Sequence, residues 1–289
     1  MAVTKTYINT KGAIARFTHD GMATTFQVHI AGVSRTYAQS AAIEIFRLWE
    51  RLEGLLSRFV EYSDISAINR LHCGETVRVG IEAFTCLQLA AAMTAETGGA
   101  FDVAIGCLTT GGKSAQPDAV GMHHVALDES AFTIQVLAEG IEIDLGGIGK
   151  GYALDQAAAL LDEWGVASAL LCASESTVLA LEAPPGERGW RVGIGGETIW
   201  LKRRALSGSG VAVKGGHIIN PHTRRPVVDR AAAWAADASA ARADALSTAF
   251  MIMPPDEIEA YCNAHPEAGA AIMMDESQDS ALTRFGRIG

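Results

Sequence analysis

The segment IEIDLGGIGKGYALD, residues 141–155, carries the densest structural signal in the chain. A strand-like apolar run ends at a cluster of glycines, and a helical pattern begins at Lys150. Glycines let the backbone approach a ligand and turn N–H groups toward an anion, while a helix N-terminus and a lysine add positive potential. The segment therefore predicts a phosphate or pyrophosphate site; the alternative is a bend that serves the fold alone. It is not a Walker loop, because Gly151 follows Lys150 where Ser or Thr would stand.

The fold class follows from the order of the predicted elements. Short apolar or alternating runs predict strands at residues 25–30, 76–79, 124–127, 132–136, 141–145, 168–172, 177–181, 190–194, 198–201 and 269–274. Helical periodicity predicts helices at residues 38–59, 81–97, 150–164, 242–253 and 256–264, two of which end at Gly98-Gly99 and Gly165. Because the strands occur in runs, the pattern favours an α+β fold over a doubly wound parallel sheet. No linker is visible, so residues 1–289 are expected to form a single domain.

Composition and charge restrict the partners. The 289 residues are 49% apolar and 19% charged, which is typical of a folded globular chain. The formal net charge is −10, and the basic run Lys202-Arg203-Arg204 is too short to make a nucleic-acid-binding face, so no nucleic-acid partner is expected. Five cysteines without a CxxC pair indicate small buried thiols in a reduced protein.

The sequence also gives an expectation about membranes and compartment. No stretch of about 18 apolar residues is present, so no transmembrane segment is predicted. The first 21 residues have no unbroken apolar region and no small-residue cleavage site, which favours a cytoplasmic protein. The alternative is a periplasmic or membrane-anchored protein whose leader has been removed.

A candidate metal site lies in the segment ADALSTA, residues 243–249. Asp244 and Thr248 are four residues apart, so on a helix they share one face and offer a carboxylate and a hydroxyl to the same point. Hard oxygens of this kind suit Mg²⁺, which often completes its shell with water and phosphate. The alternative is structural, since an Asp near a helix start can cap the helix and Thr248 can bond back to the backbone.

Three further segments could carry chemistry. In HIINPHTRRP, residues 217–226, His217 precedes a short apolar run and an Asn-Pro turn, and its imidazole could act as a base near neutral pH. Ser57-Arg58-Phe59 precedes SDISAIN, residues 63–69, in which Ser63 or Asp64 could simply cap a short helix. In TGGAFD, residues 97–102, a glycine stop precedes an aromatic ring and an acid, a pattern that also fits a plain loop.

Taken in order, these segments resemble the ApbE family, the FAD:protein FMN transferases. The motifs that carry the resemblance span residues 22–249: Met22 with Thr24, Ser57 with Phe59, SDISAIN, GAFD at 99–102, DLGGIGKGYALD at 144–155, Ser207-Gly208, HIINPHTRRP and ADALSTA. The resemblance implies a single-domain α+β fold with mixed, mostly antiparallel sheets and packed helices, related to the T-fold. It also implies FAD as substrate, Mg²⁺ as cofactor and an acceptor protein whose Thr or Ser hydroxyl receives FMN while AMP is released.

Roles for particular residues are implied by the same resemblance. The metal would be held by Gly147, through its carbonyl, and by Asp244 and Thr248. His217 would be the base beside the acceptor hydroxyl. The FAD site would be lined by Met22, Phe59, Ala100, Phe101, Asp102, Asp144, Lys150 and Ile218.

The chain departs from the family pattern at several positions. Ala23 and Arg224 stand where the pattern has Gly, Phe59 replaces Tyr, Asn220 replaces Asp, and Ala173-Ser174-Glu175 replace Gly-Gly-Asp. The changes at residues 173–175 and 220–224 bear on acceptor recognition or turnover. They leave open an FAD-binding protein without transferase activity. A second alternative keeps the metal chemistry but uses water as acceptor, which would make the protein an FAD pyrophosphatase that gives FMN and AMP.

Overall fold

A computed structural model describes residues 4–7, 14–109, 120–211, 218–274 and 282–289 of the chain. Its largest element is an eight-stranded antiparallel sheet. From one edge to the other the strands are β16 (Thr283–Gly286), β15 (Gly269–Met273), β14 (Ala232–Asp237), β11 (Arg204–Gly210), β8 (Thr177–Ala180), β7 (Ser168–Ala173), β3 (Thr24–Ala31) and β2 (Ile14–Gly21). Side chains alternate across these strands, so each interior strand contributes to both faces of the sheet.

Helices cover one face of this sheet. They are α1 (Arg35–Leu56), α2 (Asp64–Ile68), α3 (Ile81–Glu96), α4 (Gly106–Thr109), α5 (Gly149–Glu163), α6 (Ala240–Ala249) and α7 (Pro255–Ala264). The larger hydrophobic core lies between the helices and this face, and the indole N–H of Trp49 on α1 donates to the Ala153 carbonyl on α5 at 2.9 Å. The core thus fixes α5 against α1. It also fixes the segment that leads into α5, residues 144–150, which we call the glycine-rich bend.

A smaller core lies on the opposite face, under a second antiparallel sheet. That sheet has the order β1 (Thr4–Tyr7), β9 (Trp190–Ile194), β10 (Glu197–Leu201), and Trp190 and Trp234 are buried beneath it. The remaining strands are β4 (Thr76–Arg78), β5 (Val125–Asp128) and β6 (Thr133–Val136), which form a third sheet, and the hairpin of β12 (Ile219–Asn220) and β13 (Arg225–Pro226). A single 3₁₀ turn, Met122–His124, precedes β5 among the described residues.

The predicted α+β class with mostly antiparallel sheets is confirmed, and the five predicted helices are present with ends shifted by a few residues. Gly98 and Gly165 adopt left-handed backbone after α3 and α5. In each case the next N–H reaches back to the third-last helical carbonyl, Gly99 to Thr94 and Val166 to Leu161, which is the Schellman cap that the glycines predict. His124, predicted as the first residue of a strand, instead ends the 3₁₀ turn, and the strand begins at Val125.

The strand predicted at residues 141–145 is wrong. Its backbone is extended but joins no sheet: the Asp144 N–H donates to the Val103 carbonyl, and the Glu142 carbonyl accepts from the Gly106 N–H. Both backbone groups of Ile143 bond the side chain of Asn69, at 2.7 and 2.9 Å. The backbone of this segment is therefore hydrogen-bonded by an irregular segment and by the amide side chain of Asn69, and not by a neighbouring strand.

The expectations about cysteines, the basic run and membrane-spanning helices can also be compared with the structure. Four cysteines are buried as predicted, but Cys73 is exposed. The basic run Lys202-Arg203-Arg204 is paired locally, since Lys202 and Arg203 contact Glu182 and Arg204 is buried. Among the described residues, no helix is long and apolar enough to cross a membrane.

Candidate functional site

The first turn of α5 packs directly against α6. A Cβ added to Gly151 would lie 2.2 Å from the Ala240 carbonyl oxygen, so a residue without a side chain is required at this crossing. One turn later, the Asp155 carboxylate accepts hydrogen bonds from the N–H groups of Ala240 and Ala241 and from the Ser239 hydroxyl at 2.7–2.9 Å. It therefore caps α6 at the end where its acidic charge is favourable.

The carboxylate of Asp244 is the centre of this contact. It is almost fully buried, and its Oδ2 lies 3.3 Å from Lys150 Nζ and 3.2 Å from the Gly151 nitrogen. Its Oδ1 accepts from the hydroxyls of Thr177 and Ser207, each at 3.2 Å. A buried carboxylate requires such hydrogen-bond partners, and Lys150 places a cation at ion-pair distance from it.

The predicted metal residues Gly147 and Thr248 lie beside one another. A Cβ added to Gly147 would lie 3.3 Å from Thr248 Oγ1 and 3.2 Å from the Phe101 ring. Thr248 Oγ1 in turn lies 3.5 Å from the Asp244 carbonyl oxygen and 3.4 Å from Ser209 Oγ. Residues from the glycine-rich bend, from the segment after α3 and from α6 therefore meet at one place.

The glycine-rich bend differs from the expected cradle of N–H groups. The N–H groups of Ile148 and Gly149 donate to the Leu145 carbonyl, that of Gly146 to the Asp144 carboxylate and that of Gly151 to Asp244. The ammonium of Lys150 also reaches back to the Gly146 carbonyl at 2.7 Å. These four N–H groups already have acceptors within the protein. Positive potential at the bend therefore comes mainly from Lys150 and the start of α5.

Asp102 and Asp144, two further predicted site residues, both accept hydrogen bonds from backbone N–H groups. The Asp102 carboxylate accepts from the N–H groups of Ala104 and Met122 at 2.7 and 2.9 Å, and its burial raises its pKa above the usual value. Ala100 and Phe101, which precede it, are buried. Asp144 Oδ1 accepts from the Gly146 N–H at 2.9 Å, while its Oδ2 lies 3.2 Å from Arg58 Nη1.

The remaining predicted residues lie in other segments of the chain. Phe59 follows α1 and is 84% exposed, and Met22, half-buried, occupies the two-residue turn between β2 and β3. Ile218 is buried, and its carbonyl accepts from the Val227 N–H. His217 lies outside the described residues.

Three of the positions at which the family pattern has glycine adopt the left-handed backbone that glycine favours, whereas Ala173 lies in β7 and does not. Ala23, Ser174 and Arg224 all have positive φ, at 55°, 52° and 58°. Asn220 in turn performs the turn-forming role of an Asp, because its Oδ1 accepts from the N–H groups of His222 and Thr223 at 2.9 and 3.2 Å. These positions therefore adopt turn geometry without a glycine or an aspartate.

The sequence analysis assigned no role at the site to two sets of residues. One is Arg58, which contacts Asp144. The other is the set of hydroxyls around Asp244 and Thr248, which comprises Thr177, Ser207, Ser209 and Ser247. The signal for the latter was the spacing of two in Ser207-Gly208-Ser209, which on a strand places both hydroxyls on one face.

The donor set suits Mg²⁺ better than a transition metal. Among the described residues, no group of three or more His, Cys, Asp or Glu side chains is placed to hold a metal ion. Asp244, Thr248 and the Gly147 carbonyl instead offer oxygen atoms of the hard kind that Mg²⁺ prefers, and the phosphates of a ligand would complete such a coordination shell. The fold and the site thus define an α+β protein with a lysine-bearing bend opposite a single buried acid.

Comparison with known proteins identifies the family. The ApbE family model matches residues 22–273, most of the chain, and the protein belongs to this family. A curated relative from Vibrio cholerae named "FAD:protein FMN transferase" is 24% identical over 280 residues, covering 84% of this chain and 83% of its own. Another with that name from Klebsiella pneumoniae is 30% identical over 151 residues, covering 47% of this chain and 48% of its own.

The solved structures agree on the fold. The apo flavinyl transferase ApbE of Pseudomonas stutzeri has a TM-score of 0.82 at 22% identity, covering 96% of this chain and 97% of its own. The family resemblance drawn from the sequence motifs is thus confirmed.

Proposed function

We propose that this protein transfers the FMN part of FAD to a Thr or Ser hydroxyl of an acceptor protein, with Mg²⁺ bound, and releases AMP. Membership of the ApbE family and the name shared by both curated relatives support a flavin transferase. The observation that carries the proposal is the 3.3 Å contact of Lys150 with Asp244, because it brings the cation of the glycine-rich bend to the acid of α6.

The pyrophosphate of FAD needs positive charge on both of its phosphates. Lys150 is one source, since its ammonium is only part-buried and can exchange the Gly146 carbonyl for a phosphate oxygen. Asp244, Thr248 and the Gly147 carbonyl would hold Mg²⁺. When bound, Mg²⁺ would neutralise the charge on the pyrophosphate and so favour its cleavage.

Transfer requires one bond to form and one to break. The acceptor's hydroxyl oxygen attacks the phosphorus that bears the riboflavin, a new phosphoester P–O bond forms, and the P–O bond to the AMP phosphate breaks, so AMP leaves. The hydroxyl proton passes to a base, for which His217 remains our candidate on sequence grounds. Most of the rate of such a reaction comes from positioning and charge compensation. The buried partners of Asp244 serve this purpose by fixing its carboxylate.

The test uses the purified protein with FAD, MgCl₂ and a flavin-acceptor protein prepared without its flavin. Flavin fluorescence on the denatured acceptor together with released AMP supports transfer, and chelation of Mg²⁺ with EDTA should abolish both. FMN and AMP formed without a labelled acceptor would instead identify an FAD pyrophosphatase. Bound but intact FAD would identify a flavin-binding protein, and no FAD binding would overturn the proposal.

Matched variants sharpen this test. Asp244→Asn should lose labelling, whereas Asp229→Asn, an exposed acid, should label like the wild type. Because Asp244 also accepts four hydrogen bonds, the thermal midpoint of each variant is measured alongside activity.

A further inference from the structure

We infer that Arg58 is a positioning residue of the flavin site, which holds the carboxylate of Asp144 and the exposed ring of Phe59 in fixed relation. The inference rests on the proposed function, because it takes Asp144 and Phe59 as residues that face FAD. Arg58 itself lies outside the set of residues that the family pattern assigns to the site.

The guanidinium contacts both residues at once. Arg58 Nη1 lies 3.2 Å from Asp144 Oδ2, and the guanidinium carbon lies 5.1 Å from the centroid of the Phe59 ring. The Arg58 side chain is 11% exposed, whereas the residue Phe59 is 84% exposed. The guanidinium thus lies at ion-pair distance from Asp144 and at cation–π distance from the ring of a largely exposed residue.

The surrounding chain is shaped to admit this guanidinium. A Cβ added to Gly106 would lie 2.8 Å from Arg58 Nη1, so a side chain at position 106 would displace it. Nη1 is buried and makes no hydrogen bond within the described residues, although it lies at ion-pair distance from Asp144. Such a group depends on its carboxylate partner for compensation.

The loop that carries Arg58 and Phe59 is itself held in place. The Arg58 carbonyl accepts from the Ser66 hydroxyl at 3.0 Å, and the Ser57 carbonyl accepts from the Ser63 hydroxyl at 2.6 Å. The Phe59 N–H donates to Ser57 Oγ at 3.3 Å. The ring is therefore presented to solvent by a fixed backbone, which lowers the entropic cost of stacking a flat ligand on it.

Arginine suits this role better than lysine. Its planar group can stack on a ring and pair with a carboxylate simultaneously, whereas an ammonium is a single compact charge. Without the guanidinium, Asp144 would lose its cation and its negative charge would face the phosphates of FAD. The ring of Phe59 would also lose its support.

The experiment compares Arg58→Met, which removes the charge, with Arg58→Lys, which keeps it. The control is Arg47→Met, an exposed arginine of α1 that pairs only with Glu44 among the described residues. FAD affinity is measured by quenching of flavin fluorescence without acceptor, and KM for FAD and kcat are measured in the transfer assay. We expect Arg58→Met to raise Kd and KM for FAD about tenfold, the effect of one lost charge-assisted contact, with little change in kcat.

The outcomes separate the inference from the proposed function. A purely structural role would lower the thermal midpoint without selectively raising KM for FAD, and wild-type affinity in a folded Arg58→Met protein would overturn the inference. If that variant does not fold, Arg58→Lys decides: it should bind FAD several-fold more weakly, and unchanged affinity would overturn the inference. If the wild-type protein itself binds no FAD, the proposed function is what fails.

Discussion

Gly151 on α5 lies so close to the Ala240 carbonyl on α6 that an added Cβ would come within 2.2 Å of its oxygen. This crossing brings the Gly151 N–H to 3.2 Å from the Asp244 carboxylate, one residue after Lys150. The capping of α6 by Asp155 fixes the same pair of helices from the other side. The geometry of the candidate site is therefore a consequence of how tightly these two helices can pack.

The first prediction concerns this crossing. Gly151→Ala should lower the free energy of unfolding by roughly 1–3 kcal/mol, because the new methyl group must push the helices apart. The matched control is Gly54→Ala in α1, where an added Cβ meets nothing within 4 Å and helix propensity predicts a gain of up to about 1 kcal/mol. Urea unfolding measures both. If the Gly151→Ala protein had the same free energy of unfolding as the wild type, the two helices would be able to move apart at this crossing without loss of stability.

The second prediction tests whether Mg²⁺ binding depends on the hydroxyl of Thr248 or only on the volume of its side chain. Thr248→Val keeps the volume but removes the oxygen that lies beside Gly147, so the Mg²⁺ concentration for half-maximal transfer should rise about tenfold. Thr248→Ser retains the oxygen and should require Mg²⁺ at close to the wild-type concentration. The readout is transfer rate against Mg²⁺ at saturating FAD. An unchanged Mg²⁺ requirement in the valine variant would remove Thr248 from the metal site.

Sequence reasoning succeeded where the determinants are local. The caps at Gly98 and Gly165 and the shared face of Asp244 and Thr248 depend on residues within a turn or two, so their spacing predicts them. It failed where the partner is distant. Residues 141–145 read as a strand because of their alternation, but the side chain of Asn69 takes the place of a neighbouring strand.

The strands β11 and β14 were missed for a different reason. The sequence AAWAAD of β14 consists mainly of alanine, a helix former, yet all six residues are buried in the middle of the large sheet. Small residues are needed there because α6 packs closely on both strands. Tertiary packing therefore overrides intrinsic propensity, and a single sequence does not reveal which helix will cover the strand.

The third prediction tests the left-handed turn residues. Ala23 is exposed with φ of 55°, a conformation that costs an L-residue about 1–2 kcal/mol, part of which is offset by the extra freedom of glycine in the unfolded chain. Ala23→Gly should thus raise the free energy of unfolding by roughly 0.5 kcal/mol. In contrast, Ala126→Gly, at an exposed position in β5 outside the positive-φ set, should lower it by about 0.5–1 kcal/mol. Thermal and urea unfolding together decide whether the two substitutions differ in sign.

The last prediction concerns acid stability and His29, a fully buried histidine of β3 whose ring nitrogens make no hydrogen bond within the described residues. Burial, assisted by Arg16, lowers its pKa from 6.5 to about 4. Above pH 6.5 the imidazole is neutral in both states, so it gives no pH dependence. Between pH 6.5 and 4 the unfolded chain binds the proton and the folded chain does not, so stability falls as the pH is lowered, by about 3 kcal/mol at most. His29→Leu should make the free energy of unfolding depend less on pH between 6.5 and 4. The control is His72→Gln, at an exposed histidine whose pKa Glu139 raises, and this protein should still lose stability as the pH is lowered. Urea unfolding at a series of pH values measures both, and an equally steep fall in the His29→Leu protein would assign the acid sensitivity to other groups.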